Sequence, residues 1–389
     1  MQPITETTHN IKSAKYISWI FILSIISIGL SGQITYWMPE YAHMDQLYYR
    51  NMAIAAPDLN FNIIQPFVYR VLAPWFAGIL PINLEISFYF INMFALLGLA
   101  LLMYKFLVEF NLQLRTAFAL TACFVFNRYF FQFFAWDYFQ IVDTLSLIIM
   151  IYSFFLIKYK NWLTLGFLLI VGVLIKETVL IIIPTAFAYL YWNDSDKKDY
   201  LRLAAASFWP LLVFILLRIL IIPAGGEDII TQFTTGIPRF FSPEALLKKF
   251  IIAFTPFGLI PFFFYNTLKE FVQKNKYVVV YFVLVLFVSA FGDFERLMAP
   301  FAPFYLLFIG EIIQKFLKEE ENKDELRKFL LYMMAFSFAA SFHHIWGVIQ
   351  LPGRNSTIIL TVAALAVMLA HFLDLKYEAL KFLKFWSKK

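Results

Sequence analysis

Residues 162–193 read WLTLGFLLIVGVLIKETVLIIIPTAFAYLYWN. Two uncharged runs, 162–175 and 178–193, meet at Lys176-Glu177 with no polar loop between them. As helices rising 1.5 Å per residue they would be about 21 and 24 Å long. That is short of, but close to, a hydrocarbon core of about 30 Å. The pair reads as a tight hairpin of two spans or as one interrupted helix. Two spans are preferred, because the charge pattern along the rest of the chain then alternates correctly. Pro184 lies inside the second run and Lys176 ends the first, so a solvated ion pair at a membrane boundary is the bland reading of Lys176-Glu177.

Outward from this stretch the pattern repeats. Hydrophobic residues make up 61% of 389 positions and charged residues only 15%, more apolar surface than a water-soluble core hides. Apolar runs of near-spanning length lie at 14–32, 82–107, 115–131, 141–157, 162–175, 178–193, 204–222, 250–267, 277–292, 297–315, 329–346 and 357–374. The expected fold is therefore all-α: a polytopic membrane helix bundle of about 12 spans, with residues 1–389 forming one transmembrane domain. The first run follows a polar N-terminus and reads as an uncleaved signal-anchor.

With the N-terminus inside, 22 of the 32 Lys and Arg fall on the inner side, including the tail at about 375–389. This asymmetry predicts cytoplasmic N- and C-termini. The net charge of +6 is spread over short loops, which speaks against nucleic acid as a partner and for the lipid bilayer. Cys123 is the single cysteine and sits in an apolar run, which excludes an intramolecular disulfide. Walker, HExxH, nucleophile-elbow and Cys-His patterns are absent, so ATP-driven transport and proteolysis have no support.

The outer side carries a long first loop, about 33–81, whose aromatic density predicts short helices lying in the interface. A second outer loop, about 224–248, carries Gly225-Gly226 and Arg239 and reads as a mobile cover. Mixed-sign clusters recur on this side: His43-Met44-Asp45-Gln46, Tyr69-Arg70, Trp136-Asp137, Lys176-Glu177 and Asp293-Phe294-Glu295-Arg296. Acid and base packed among aromatics at helix ends point to a polar site. Asp45 is placed to take a proton from a hydroxyl, although a helix cap explains a lone Asp about equally well. Arg70, Lys176 and Arg296 have the chemistry to hold a phosphate, with Arg218 and Arg239 behind them. Asp137 and Asp143 would lie about 240° apart on one helix, so they share a cavity only if Asp137 is in the loop. His343-His344 lacks an acid at ligand spacing.

The order and common sidedness of Asp45, Pro66-Phe67-Val68-Tyr69-Arg70, Asp137, Asp143, Lys176-Glu177 and Asp293-Phe294-Glu295-Arg296 with Pro300 and Pro303 resembles the GT-C superfamily of integral-membrane glycosyltransferases. The resemblance covers about residues 14–310 and is architectural. It implies a polyprenyl- or dolichyl-phosphate sugar as donor and a glycan, lipid or protein acceptor. It further implies inversion at the anomeric carbon and a site facing the periplasm, cell exterior or ER lumen. Carried over, Asp45 is the base, Asp137 or Asp143 orients it or the acceptor, and Arg70, Lys176 and Arg296 offset charge on the departing phosphate. His43, Gln46, Tyr69, Glu177, Arg218, Arg239, Asp293 and Glu295 would be supporting residues. Gln46 stands where many members carry a second acid, and no soluble C-terminal domain follows. No cofactor is expected, with a divalent metal left open. The rival readings are a multi-span secondary transporter or flippase of a lipid-linked sugar, and an O-antigen ligase or polymerase.

Overall fold

The computed structural model describes residues 3–31, 45–226, 234, 238, 242–289, 292–316, 323–341 and 353–371. Among the described residues every regular element is helical. Five helices are long and apolar enough to cross a membrane: Ser13–Ser31, Leu84–Glu109, Tyr138–Lys158, Lys197–Leu220 and Phe294–Lys315. Two bent pairs raise the number to seven. This fits a multi-pass membrane protein, with a smaller count than the twelve apolar runs. The reason is geometric. The run at 115–131 bends by 57° between Leu114–Val125 and Arg128–Trp136, and Trp162–Ile175 and Glu177–Trp192 are individually short. The run at 250–267 is no straight span: it is divided among helices Pro243–Ala253, Ile260–Phe263 and Tyr265–Lys274. The second outer loop is correspondingly shorter than expected, since a helix begins at Pro243.

Several of these helices turn apolar side chains outward. Lys197–Leu220 buries little of its length and leaves Ile219 68% exposed, and Ile222 just beyond it is 83% exposed. Apolar surface of this extent marks a face that is not covered by water. Polar ends punctuate the same helices. Asn83 accepts a hydrogen bond from the Ile86 amide at 3.2 Å, capping Leu84–Glu109. Asn161 does the same for Trp162–Ile175.

The ion pairs sort to two ends of the bundle. At one end Arg50 meets Glu85, Arg70 meets Glu177, and Lys176 meets Asp143. At the other, Lys158 meets Glu109 (2.8 Å), Lys160 meets Asp199 (2.7 Å) and Lys315 meets Glu270 (3.1 Å). Between them lies an aromatic core. The Phe304 ring stands edge-on to Phe106 and Phe154 at 5.4 and 4.6 Å, and Phe154 to Tyr281 at 4.9 Å. Those contacts join Leu84–Glu109, Ile141–Lys158, Tyr277–Ser289 and Ala302–Phe316.

The stretch at 162–193 is resolved as two helices that run to the first end and back. Lys160, before the first, is paired at the far end with Asp199, and its charge also acts on Tyr189 in the second. Lys176 at the apex is extended, with φ −161° and ψ 124°. The turn is tight enough that a Cβ on Gly172 would lie 2.7 Å from Val179 Cγ2.

The described part of the 33–81 loop, from Asp45 on, folds into short helices, Asp45–Ile54 and Leu72–Gly78, with a 3-10 turn at Phe67–Tyr69. The two helices touch at Gly78, where a Cβ would fall 2.0 Å from the Ala53 carbonyl oxygen. At that distance one of the two backbones has to shift. Gly78→Ala is therefore expected to push Asp45–Ile54 away and cost about 1–3 kcal/mol, read as a lowered thermal midpoint in detergent. An unchanged midpoint would show that the loop helices are not held by this contact.

Candidate functional site

Asp45 opens its helix, where a carboxylate is favoured by the partial positive charge of the first turn. A charge–dipole role at the helix start therefore stands alongside any chemical role. Its Oδ2 accepts from Gln140 Nε2 at 3.2 Å and lies 3.5 Å from an Arg296 terminal nitrogen. The same Gln140 nitrogen lies 3.2 Å from Asp137 Oδ2. Gln140 thus bridges two acids that are 92 positions apart in sequence.

Asp137 is off the helix, with φ −101° and ψ 84°, just before a 3-10 turn at Tyr138–Gln140. That break removes the 240° separation an uninterrupted helix would impose, and Asp143 projects into the same region from the first turn of Ile141–Lys158. Two buried contacts fix this segment. Asn92 donates to the Phe134 carbonyl at 2.7 Å, and Thr144 donates to Asn92 Oδ1 at 2.8 Å. Upstream, Asn127 caps a one-turn π-helix at Arg128–Gln132 and donates to the Thr255 carbonyl at 3.1 Å. Such π-turns often re-aim side chains at functional sites.

The cations divide into committed and available groups. Lys176 is buried and donates to Asp143 Oδ1. Arg70 is buried and makes a two-pronged contact with Glu177, through Nε at 3.1 Å and a terminal nitrogen at 2.8 Å. Its other terminal nitrogen donates to the Tyr49 hydroxyl at 3.1 Å. Burial pushes the Tyr49 phenol above its usual range, so it stays neutral and accepts from Arg70. Arg296 is held loosely by comparison. Its nitrogens sit 3.5, 3.8 and 3.6 Å from Asp45, Asp143 and Asp293, and Nε is buried without an acceptor among the described residues. Beyond about 3.5 Å such contacts are Coulombic more than hydrogen-bonded. Arg296 is the cation with donors to spare for an added anion.

Asp45, Asp137, Asp143, Lys176 and Arg296 therefore come together at one end, with Arg70, Tyr69 and Glu177 beside them. Glu295 is buried in the short helix that carries Arg296, and Gln46 is buried in the helix that carries Asp45. Asp293 is mostly exposed, and His43 and Arg239 lie outside the described residues. Arg218 lies at the edge of this group, over the Tyr69 ring and within the electrostatic reach of Glu177 and Arg70. Gln140 and Tyr49 were not singled out from the sequence, though Gln140 follows the Trp136-Asp137 cluster by three positions. Among the described residues no three His, Cys, Asp or Glu side chains group as a metal ion requires.

Two cavities flank Tyr277–Ser289. A small one, about 20 Å³, touches Asp143, Lys176 and Arg296 and has room for about one water. A larger one, about 490 Å³, is lined wholly by apolar and aromatic residues, among them Leu246, Phe250, Phe282, Leu286, Phe301 and Tyr305. Val285 and Pro300 line the first, while Leu286 and Phe301 line the second, so a thin wall separates them.

Burial is the main cause that pushes the Asp137 carboxyl up to about 6 from its ordinary 3.8, against the pull of Gln140 and Arg296. A folded-state value above the unfolded one favours the protonated fold. The stabilisation is complete below about pH 3.8 and is lost as pH rises through about 6. Between pH 4 and 7.5 the wild-type thermal midpoint should fall relative to that of Asp137→Asn, by at most about 3 kcal/mol in stability. Parallel pH profiles for the two proteins would exclude a buried, reluctantly ionised Asp137.

Comparison with protein-family models, curated proteins and solved structures returns no match for this chain.

Proposed function

We propose that the chain is a membrane glycosyltransferase that moves a sugar from a polyprenyl- or dolichyl-phosphate donor to an acceptor hydroxyl on the extracytoplasmic side. The observation that carries this is the meeting of Asp45, Asp137, Asp143, Lys176 and Arg296 at one bundle end, beside an apolar cavity of about 490 Å³. A transferase using a lipid-linked donor needs both parts: a polar site for sugar and phosphate, and a greasy groove for the isoprenoid tail. The surplus of lysines and arginines toward the opposite end, read with a cytoplasmic N-terminus, supports an extracytoplasmic site.

In this reading the Asp45 carboxylate takes the acceptor O–H proton as the acceptor oxygen attacks the anomeric carbon. The bond from that carbon to the donor phosphate oxygen breaks, and the lipid phosphate leaves with its electron pair. Configuration inverts because one displacement occurs. Arg296 meets the growing phosphate charge. Lys176 and Arg70 act at one remove: their charges are spent on Asp143 and Glu177, and they hold the site's shape and field. Gln140 positions Asp45 against Asp137.

Incubation of the purified protein with radiolabelled polyprenyl-phosphate sugars and a panel of acceptors tests the reading. Labelled product with release of polyprenyl phosphate is expected. Movement of intact donor across a proteoliposome membrane, with no product, would replace the transferase reading with that of a flippase.

A further inference from the structure

The last turn of the apolar helix Lys197–Leu220 carries an arginine with two buried nitrogens that meet no acceptor among the described residues. The Arg218 guanidinium is stacked between the rings of Tyr69 at 4.4 Å and Phe214 at 4.0 Å. Its Nε and one terminal nitrogen are buried, and no acceptor among the described residues meets them. Glu177 is the carboxylate whose charge acts on it, but both Glu177 oxygens already accept from Arg70. Leaving buried, charged donors unpaired is costly, and more so on a helix bordered by apolar surroundings. Aromatic stacking satisfies the faces of a guanidinium and leaves its edge donors unanswered.

The surroundings are built. Just after the helix, Ala224 donates to the Ile63 carbonyl at 3.1 Å, and the Gln65 amide donates to the Gly225 carbonyl at 2.9 Å. These two bonds strap the helix end to the first outer loop beside Tyr69. Gly226 has φ +106°, and a Cβ there would lie 2.8 Å from the Gln65 carbonyl oxygen, so the strap closes only with glycine. Along the last turns of the helix and just past its end, Ile215, Ile219 and Ile222 are exposed. An anion at Arg218 would have apolar surface directly beside it.

We propose that Arg218 is the seat of an anionic site, centred on Arg218 and Tyr69 and bordering the Arg70–Glu177 pair, that takes the phosphate headgroup of an amphiphile whose chains lie along Ile215, Ile219 and Ile222. The chemistry that recognises it is a phosphate oxyanion accepting from the guanidinium edge, with apolar chains covering the exposed isoleucines. Nothing in this assignment depends on sugar transfer.

The test uses full-length protein in detergent, titrated with short-chain phosphatidic acid, with diacylglycerol of the same chain length, and with inorganic phosphate. Phosphatidic acid is expected to raise the thermal midpoint of the wild type and diacylglycerol to leave it nearly unchanged. In Arg218→Gln the apparent affinity for phosphatidic acid should drop at least tenfold, and Arg218→Lys should fall between. The lipid-free midpoint of Arg218→Gln should stay close to that of the wild type, because the stacking lost from Tyr69 and Phe214 is offset by relief of the unpaired buried donors. Equal protection of wild type and Arg218→Gln by phosphatidic acid would overturn the proposal. So would a lower lipid-free midpoint in both variants, which would make Arg218 a packing element. Protection by inorganic phosphate as potent as by the lipid would reassign the site to a free anion.

Discussion

Asp45→Asn is expected to lower sugar transfer by about 10²–10⁴-fold, the range a positioned general base supplies, while leaving helix content and thermal midpoint unchanged. The substitution is nearly isosteric, and an Asn oxygen still accepts from Gln140 in place of the carboxylate. What disappears is the ability to carry away the acceptor proton, together with one negative charge 3.5 Å from Arg296. The loss should therefore fall on the chemical step and not on donor affinity, which Arg296 governs. Arg296→Gln should show the complementary result, with weaker donor binding and slower turnover together, since the phosphate is present in both ground and transition states. Retention of more than half the wild-type rate by Asp45→Asn would remove Asp45 as base and leave Asp137, its partner through Gln140, to be tested in the same way.

The sequence carried the all-helical class and the gathering of the acids more clearly than it carried the number of spans. Apolar composition dictates helices wherever backbone groups lack water, but it does not say where a helix bends. The 57° break after Val125 depends on Asn127, whose side chain caps the π-turn and reaches Thr255 from another part of the chain. Nothing local announces that contact. The shape of the Asp137–Asp143 stretch was similarly beyond reach. Whether six residues form one helix or a 3-10 turn followed by a helix depends on Asn92 and Thr144 tying the segment from outside. Convergence of Asp45 with Arg296, 251 positions apart, could be argued only from sidedness, and the distances place them together. The assignment of cations was where the sequence misled. Arg70, Lys176 and Arg296 look alike as positive charges near helix ends. Only coordinates show that two of them are already paired and that Gln140 and Tyr49 take part.

That distinction gives the second large effect. Breaking the Arg70–Glu177 pair from either side, by Arg70→Met or Glu177→Gln, should cost about 3–5 kcal/mol, as removal of one partner leaves the other charge buried. The pair joins the first outer loop to the apex of the 162–192 hairpin, so its loss should also loosen Asp45 and Lys176 together. The double variant Arg70→Met/Glu177→Gln should recover much of the stability, because no uncompensated charge is left. Arg70→Lys should behave almost as badly as Arg70→Met. A lysine cannot span both Glu177 oxygens and the Tyr49 hydroxyl with one ammonium, whereas the planar guanidinium does so with three nitrogens. If Arg70 instead served chiefly to bind a donor phosphate, Arg70→Lys would keep its thermal midpoint and lose only donor affinity. Measuring the midpoint and the donor dissociation constant on the same four proteins decides between these roles. A stable Arg70→Lys with impaired donor binding would return Arg70 to the group of phosphate ligands and leave Glu177 as its tether.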